Sequence, residues 1–76
     1  MQIQVNGEPK HTATGATVGD LLADLDVRGD RVAVELNLEI LDRGEFATRA
    51  LQDGDRVEII SFIGGGSPTW DAAAHG

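Results

Sequence analysis

The alternation of polar and apolar residues at the amino end predicts a β-hairpin. Residues 2–5, Gln-Ile-Gln-Val, alternate with the period of a half-buried strand. Asn6-Gly7 follows, and this pair favours a two-residue turn because both residues tolerate positive φ. Glu8 to Thr12 is therefore expected to return antiparallel to the first strand, with Pro9 placing it at the edge of the sheet.

Apolar residues then recur with helical spacing. Thr17 and, three residues later, Asp20 fit a capping box, which predicts a helix that begins there. One face of this helix is apolar and consists of Val18, Leu21, Leu22 and Leu25. We expect Gly29 to supply the left-handed residue at the exit of the helix.

Strand patterns return in the second half of the chain. The predicted elements are a strand over 31–36, a tight corner at Asn37-Leu38, a short strand over 39–41, a polar connection over 43–50 with one helical turn, a turn at Asp53-Gly54 and a final strand over 56–63. Phe46, within the polar connection, is expected to plug the edge of the core.

The order of these elements predicts the fold. A hairpin, a crossover helix and a later hairpin give an α+β domain, a mixed sheet of four to five strands with one helix packed on one face. The first and last strands can lie side by side in parallel at the centre of the sheet. This arrangement is the β-grasp, or ubiquitin-like, fold. It spans residues 1–63, and residues 64–66 form a flexible glycine arm. Residues 67–76 form a C-terminal extension that we expect to be disordered or removed.

The final strand has apolar side chains on both faces. Val57, Ile59 and Ile63 fall on one face, and Ile60 and Phe62 fall on the other. A sheet covered by a helix on one side needs only the first set for its core. Two interpretations of the second set stay open: ordinary packing under a loop, or an apolar docking patch that leads to the glycines.

The composition limits the kinds of partner, bound metal and cellular location that we expect. Thirteen acidic and six basic side chains give a formal charge of −7, which argues against nucleic acid or an anionic membrane and favours partners with basic surfaces. There is no cysteine, and the two histidines lack metal-ligand spacing, so we expect neither a disulfide nor a metal site. No apolar run is as long as a membrane span and the amino end does not resemble a signal peptide, so the expected location is the cytoplasm.

The sequence contains no recognisable catalytic constellation. Glu35 and Glu39 straddle the corner at Asn37, and such pairs are typical of solvated surface. Gly64-Gly65-Gly66 is followed by Ser67-Pro68 rather than by a helix, so it is not a phosphate-binding loop. The glycines have two remaining interpretations. They are a linker, or they end in a glycine carboxylate that is itself the reacting group once it is free.

Four stretches resemble the ThiS family, the sulfur carrier proteins of thiamine biosynthesis. They are the start Met1 to Glu8, the corner Val32 to Asn37 with Glu39-Ile40, the turn and strand Asp53 to Ile59, and the ending Phe62 to Gly66. The similarity runs from Met1 to Gly66. It implies a carrier that is not itself an enzyme, that is monomeric alone and that binds no cofactor stably.

The resemblance also implies a reaction sequence. A ThiF-type adenylyltransferase uses ATP and magnesium to adenylate the terminal glycine carboxylate. Sulfur from a cysteine desulfurase persulfide displaces AMP and leaves a thiocarboxylate, which donates its sulfur to the thiazole synthase ThiG. By this resemblance Gly66 is the reacting residue, Gly65 is the second choice, and Gly64 completes the arm. Ile60, Phe62 and Ile63 form the surface that partner enzymes grip.

The chain departs from the family after the glycines. Family members normally end at the glycine pair, whereas this chain continues for ten residues, so the carboxyl group of Gly66 is in a peptide bond. We expect the extension to be removed after Gly66. Two alternatives to the ThiS interpretation share the fold: a molybdopterin-synthase small subunit, and a β-grasp interaction module that is never conjugated.

Overall fold

One mixed sheet, built around the last long strand, organises the chain in the computed structural model, which describes residues 1–63 and 67–68. The elements are β1 (Gln2–Val5), β2 (Glu8–His11), α1 (Val18–Asp24), β3 (Val32–Leu36), β4 (Glu39–Ile40), β5 (Arg56–Ile63) and β6 (Ser67–Pro68), with 3₁₀ turns at Gly29–Arg31 and Arg43–Glu45. The strand order is β2-β1-β5-β3-β4, and β6 pairs with β5 outside this series. Because β1 and β5 are parallel and adjacent, the predicted β-grasp arrangement is confirmed.

Both hairpins use the same kind of turn. Val5 pairs with Glu8 across Asn6-Gly7, and Leu36 pairs with Glu39 across Asn37-Leu38. The φ angles are 51° and 84° in the first turn and 52° and 72° in the second, so all four central residues are left-handed, as a type I′ turn requires. Leucine is unusual in this position, because a left-handed conformation costs a side-chain-bearing residue roughly 1–2 kcal/mol.

Helix α1 begins as predicted and ends earlier. The Asp20 N–H donates to Thr17 Oγ1 at 3.1 Å and the Thr17 N–H donates to Asp20 Oδ2 at 2.9 Å, which completes the capping box. The prediction that Gly29 is the left-handed exit residue is wrong. Asp26, with φ of 59°, takes that place, and the Val27 N–H then donates to the Leu22 carbonyl at 2.9 Å. The helix therefore closes with a Schellman motif before Gly29 is reached.

Gly29 has a packing role instead. A Cβ atom at this position would lie 3.2 Å from Cδ2 of the Phe46 ring, which is tighter than nearly all real contacts. Gly29 therefore leaves room for Phe46, which is buried at the edge of the core as the sequence predicts.

The core lies between α1 and one face of the sheet. Its buried members come from every layer of the fold: Ile3, Val18, Leu21, Leu22, Val32, Val34, Leu36, Leu41, Phe46, Leu51 and Val57. The β3 residues alternate between buried and half-buried, so the second face of the sheet turns away from α1. We call this second face the open face.

Leu21→Ala and Leu38→Ala form a matched test of this core. Leu21 is 1% exposed and Leu38 is 90% exposed. The first substitution leaves a cavity and should lower the free energy of unfolding by about 2–5 kcal/mol. The second should change it by less than about 0.5 kcal/mol. Urea denaturation followed by circular dichroism measures both, and equal losses in the two variants would contradict this assignment of the core.

Candidate functional site

The predicted glycine arm follows directly from the central strand. Strand β5 pairs with β3 from Leu36↔Val57 to Val32↔Ser61, but with β1 only at Gln4↔Arg56 and Val5↔Val57. Ser67 and Pro68 pair antiparallel with Ile63 and Phe62. Gly64, Gly65 and Gly66 lie outside the described residues, as do 69–76, so the assignment of the reacting glycine stays a prediction.

Asn6 continues the contact with β5 where β1 ends. Its backbone N–H donates to the Val57 carbonyl at 2.8 Å. Its side-chain Oδ1 accepts from the Ile59 N–H at 2.7 Å, and its Nδ2 donates to the Ile59 carbonyl at 3.3 Å. A side-chain amide offers the same donor and acceptor as a peptide group, so Asn6 pairs with Ile59 as one more strand residue would.

Asn37 holds the other side of β5 at its start. The Asn37 N–H donates to the Arg56 carbonyl at 2.8 Å, and Asn37 Oδ1 accepts from the Arg56 N–H at 2.9 Å. Its Nδ2 donates to Asp55 Oδ1 at 3.0 Å, while Asp55 Oδ2 accepts from the Gln52 N–H at 2.7 Å. We call Asn6 and Asn37 the asparagine clamps, because together they fix the strand that leads to the arm.

In the sequence, the two clamps can be recognised only as turn residues. Each clamp is the first residue of a two-residue hairpin turn, and the sequence therefore predicts asparagine as a turn former. What sequence reasoning missed is that both side chains reach across to the same strand. That contact depends on β5 lying between β1 and β3, which becomes evident only once the sheet is assembled.

The open face combines apolar and acidic side chains. Val34 is buried and lies opposite Ile59, so their neighbours Ala33 and Ile60, also opposite each other, fall on the open face and are half-buried. Of the three predicted interface residues, Ile60 is therefore placed at this surface, while Phe62 and Ile63 are described by their backbone in β5.

Two carboxylates share the middle of this face. Glu35 lies directly opposite Glu58 on β5 and opposite Ile40 on β4. Like charges in directly opposed positions disfavour a sheet. Arg49 pairs instead with Glu39 at 3.1 Å and with Glu45 at 3.4 Å, and within the described residues no ion pair includes Glu35 or Glu58. With Arg56 on the same face of β5, the two carboxylates outnumber the one guanidinium group of these paired strands, and the open face has an excess of negative charge there.

Arg56 lies on the open face as well, two residues before Glu58 in β5, whereas the residues of two other ion pairs lie elsewhere. Lys10 pairs with Asp24 of α1 at 2.8 Å. Arg28 pairs with Asp30 at 2.8 Å, and its hydrogen bond to the Asp30 carboxylate lowers the pKa of that exposed group. No three His, Asp or Glu side chains among the described residues come together as a metal site. The described part of the chain therefore offers a clamped central strand and an open face with apolar and acidic side chains.

Comparison with known proteins gives one consistent result. The model of the ThiS family matches residues 3–66. The sulfur carrier protein ThiS of Escherichia coli is 38% identical over 66 residues, which cover 87% of this chain and all of that protein. The crystal structure of a thiamine biosynthesis protein (ThiS) from Geobacter metallireducens has a TM-score of 0.75 and 42% identity, and the match covers 87% of this chain and all of that one.

A second group of relatives is much longer. The thiazole synthase of Paramagnetospirillum magneticum is 44% identical over 72 residues, which cover 95% of this chain. The chain spans about a fifth of the length of that protein, since the match covers 22% of it. This alignment covers 72 of the 76 residues of the chain and therefore leaves out four. Even if all four are at the carboxyl end, six of the ten residues after Gly66 are aligned. The matched segment of this relative thus extends past the glycines.

Among the described residues, no helix has the length and apolar character needed to cross a membrane.

Replacing each clamp with glycine tests its effect on β5. Glycine keeps the left-handed backbone, so Asn6→Gly removes the two hydrogen bonds to Ile59 without adding strain. The loss of about 1.4 kcal/mol should speed hydrogen exchange of the Ile59 amide about tenfold. Asn37→Gly is the matched control and should instead speed exchange at Arg56. Exchange measured by NMR that rises equally at both amides in both variants would rule out separate clamps.

Proposed function

The chain belongs to the ThiS family, and we propose that it carries sulfur for the formation of the thiazole ring of thiamine. The observation on which this rests is the match of the family model to residues 3–66, which takes in the fold and ends at Gly66. In this proposal the carboxyl group of Gly66 is the reacting group. If the register of the three glycines differs by one, Gly65 takes that role.

The proposed chemistry requires activation of a carboxylate. A carboxylate resists nucleophilic attack until one of its oxygens becomes part of a leaving group, which adenylation by ATP provides. A ThiF-type enzyme with ATP and magnesium would form the acyl-adenylate and release pyrophosphate. The outer sulfur of a cysteine desulfurase persulfide would then attack the acyl-adenylate, displace AMP and form an acyl disulfide. A second thiol would cleave its S–S bond, forming a disulfide with the donor cysteine and releasing the thiocarboxylate. The carrier is a co-substrate in this scheme, and its lack of cysteine avoids thiols that would intercept the activated ester.

The fold suits the delivery of such a group. The asparagine clamps fix β5 on both sides up to Ile59, so the arm that follows starts from a defined place on a rigid sheet. Residues without side chains can enter a narrow channel in an activating enzyme. Ile60, Phe62 and Ile63 directly precede the arm, and we assign them to the surface that the enzymes hold.

The acceptor of the sulfur is proposed to be a thiazole synthase. Two relatives bearing that name, from Paramagnetospirillum magneticum and Magnetococcus marinus, contain a segment similar to this chain that makes up 22% and 24% of their lengths. Carrier-like and synthase sequence therefore occur in one polypeptide in those proteins. This arrangement supports a functional pairing of the two.

The residues after Gly66 require a further step. The carboxyl group of Gly66 forms the peptide bond to Ser67, and an amide has no free oxygen for adenylation. We therefore propose that the chain is cleaved after Gly66 before it accepts sulfur. The peptide Ser67 to Gly76 would be released with its own amino terminus.

Chains of three lengths test the reacting residue. A chain that ends at Gly66 should support exchange of pyrophosphate into ATP with a ThiF-type adenylyltransferase, whereas chains that end at Gly65 or Gly76 should not. With a sulfur donor present, mass spectrometry should find one oxygen replaced by sulfur in the Gly66 form. Exchange by the full-length chain would contradict the need for cleavage, and exchange by the Gly65 form alone would move the register by one.

The cleavage itself is tested in the native cell. Intact-mass analysis of the protein from cells that are making thiamine should find a form that ends at Gly66. A Gly66→Pro variant should retain the extension, because proline at this site lacks the flexible backbone that glycine offers a peptidase. Finding only the uncleaved chain in cells that grow without added thiamine would exclude this step.

A further inference from the structure

The tip of the β3–β4 hairpin presents two large apolar side chains to solvent. Leu38 is 90% exposed and Ile40 is 72% exposed. No other large apolar side chain within residues 1–61 is so exposed. Neither contributes to the core, so packing within the domain does not account for their identity. We call Leu38 and Ile40 the hairpin tip.

The backbone makes Leu38 more unusual. Its φ of 72° is left-handed, and the equivalent residue of the β1–β2 turn is Gly7, with φ of 84°. The two turns have the same two-residue length and both begin with a left-handed asparagine. The β3–β4 turn therefore has a leucine at the position where the β1–β2 turn has a glycine. An exposed, strained apolar residue of this kind points to contact with another molecule.

Ile40 of the hairpin tip lies on the same face of the sheet as Ile60, which precedes the arm in the chain. Ile40 lies opposite Glu35, and Glu35 lies opposite Glu58, which precedes Ile60 on the same face of β5 by two residues. Val57 of β5 lies opposite Leu36, at the base of the β3–β4 hairpin, and Ile63 is the last residue before Gly64. At about 3.3 Å per residue, the six steps from Val57 to Ile63 span about 20 Å along the strand. A partner that receives the arm and covers the open face would reach the tip.

We propose that the hairpin tip is a second anchor for the thiazole synthase, inserted into an apolar pocket bordered by basic side chains. The inference rests on the proposed function, since it assumes that the synthase receives sulfur from the arm. The occupant is indicated by the relatives in which a segment like this chain is part of a thiazole synthase. The basic border follows from Glu35, opposite Ile40, and Glu58, opposite Glu35 in the next strand, because these two carboxylates form no ion pair within the described residues and outnumber the guanidinium group of Arg56 on the same face.

A second copy of the chain fits this surface poorly. Two open faces brought together would bring four carboxylates against two guanidinium groups, from Glu35, Glu58 and Arg56 of each copy, in a protein whose formal charge is already −7. Such repulsion disfavours self-association and favours a partner of opposite charge.

Leu38→Gly separates binding from folding. Glycine suits a left-handed φ, so this variant should unfold at the same temperature as the parent or at a higher one. Loss of a leucine that is buried in the complex should weaken binding to the thiazole synthase of the same organism about ten- to hundredfold. Ile40→Thr, which keeps a β-branched residue in the strand, should weaken binding as well. Titration calorimetry with the full 76-residue chain measures the affinity.

Asp26→Gly is the matched control. Asp26 is exposed, has φ of 59° and follows α1 on the helix side, so this variant makes the same backbone change away from the open face. Its affinity should stay within about twofold of the parent. Unchanged affinity in Leu38→Gly, an equal loss in Asp26→Gly, or self-association of the parent that Leu38→Gly abolishes would each overturn the proposal.

Adenylation distinguishes this inference from the proposed function. A chain ending at Gly66 that carries Leu38→Gly should still exchange pyrophosphate with the adenylyltransferase at the parental rate. If it does so and the synthase binds parent and variant equally, the anchor is wrong while the sulfur carrier stands. If the parent ending at Gly66 shows no exchange, the proposed function itself fails. A loss of exchange confined to the variant would assign the tip to the adenylyltransferase and overturn the anchor.

Discussion

The position of β5 between two clamped neighbours is the constraint on which the other features depend. Asn6 and Asn37 each use a side-chain amide to satisfy backbone groups of β5, at Ile59 and at Arg56. Buried or paired backbone groups are costly to leave unsatisfied, so these bonds define where the strand is held by its two neighbours. On the β1 side the last such contact is at Ile59, four residues before the end of β5. The same strand contributes Val57 to the core, joins the two halves of the sheet and leads to the glycines.

The two hairpin turns have the same backbone geometry but differ in their second residue. Asn6-Gly7 combines a clamp with the residue that best tolerates positive φ, so that turn is suited to stability alone. Asn37-Leu38 keeps the clamp and accepts an unfavourable leucine. The difference cannot come from the backbone, which is the same in both turns, nor from the core, which Leu38 does not touch. It therefore reflects a demand from outside the domain, of the kind that places strained residues at binding surfaces.

The sequence predicted those features that depend on short-range chemistry. The Asn6-Gly7 hairpin, the Thr17 capping box, the burial of Phe46 and the parallel pairing of β1 with β5 all follow from local signals or from chain order. The prediction for the exit of α1 is wrong, because the glycine at position 29 does not have a left-handed backbone. Gly29 is instead small to make room for Phe46, 17 residues further along the chain. The clamps and the exposed hairpin tip could not be predicted from the sequence for the same reason. Each depends on whether residues that are distant in the chain make contact.

The stability of the sheet and the reactivity of its end are separable in this fold. The described core and the clamps are complete by Ile59, and the match to the ThiS family continues to Gly66. The glycine proposed to react can therefore be free, adenylated or joined to further residues without a change in the core. That separation explains how similar domains can occur alone, as in the Escherichia coli carrier, or within a longer thiazole synthase. In the proposed scheme the bond after Gly66 is the one that must change in this chain, because adenylation requires a free carboxyl group there.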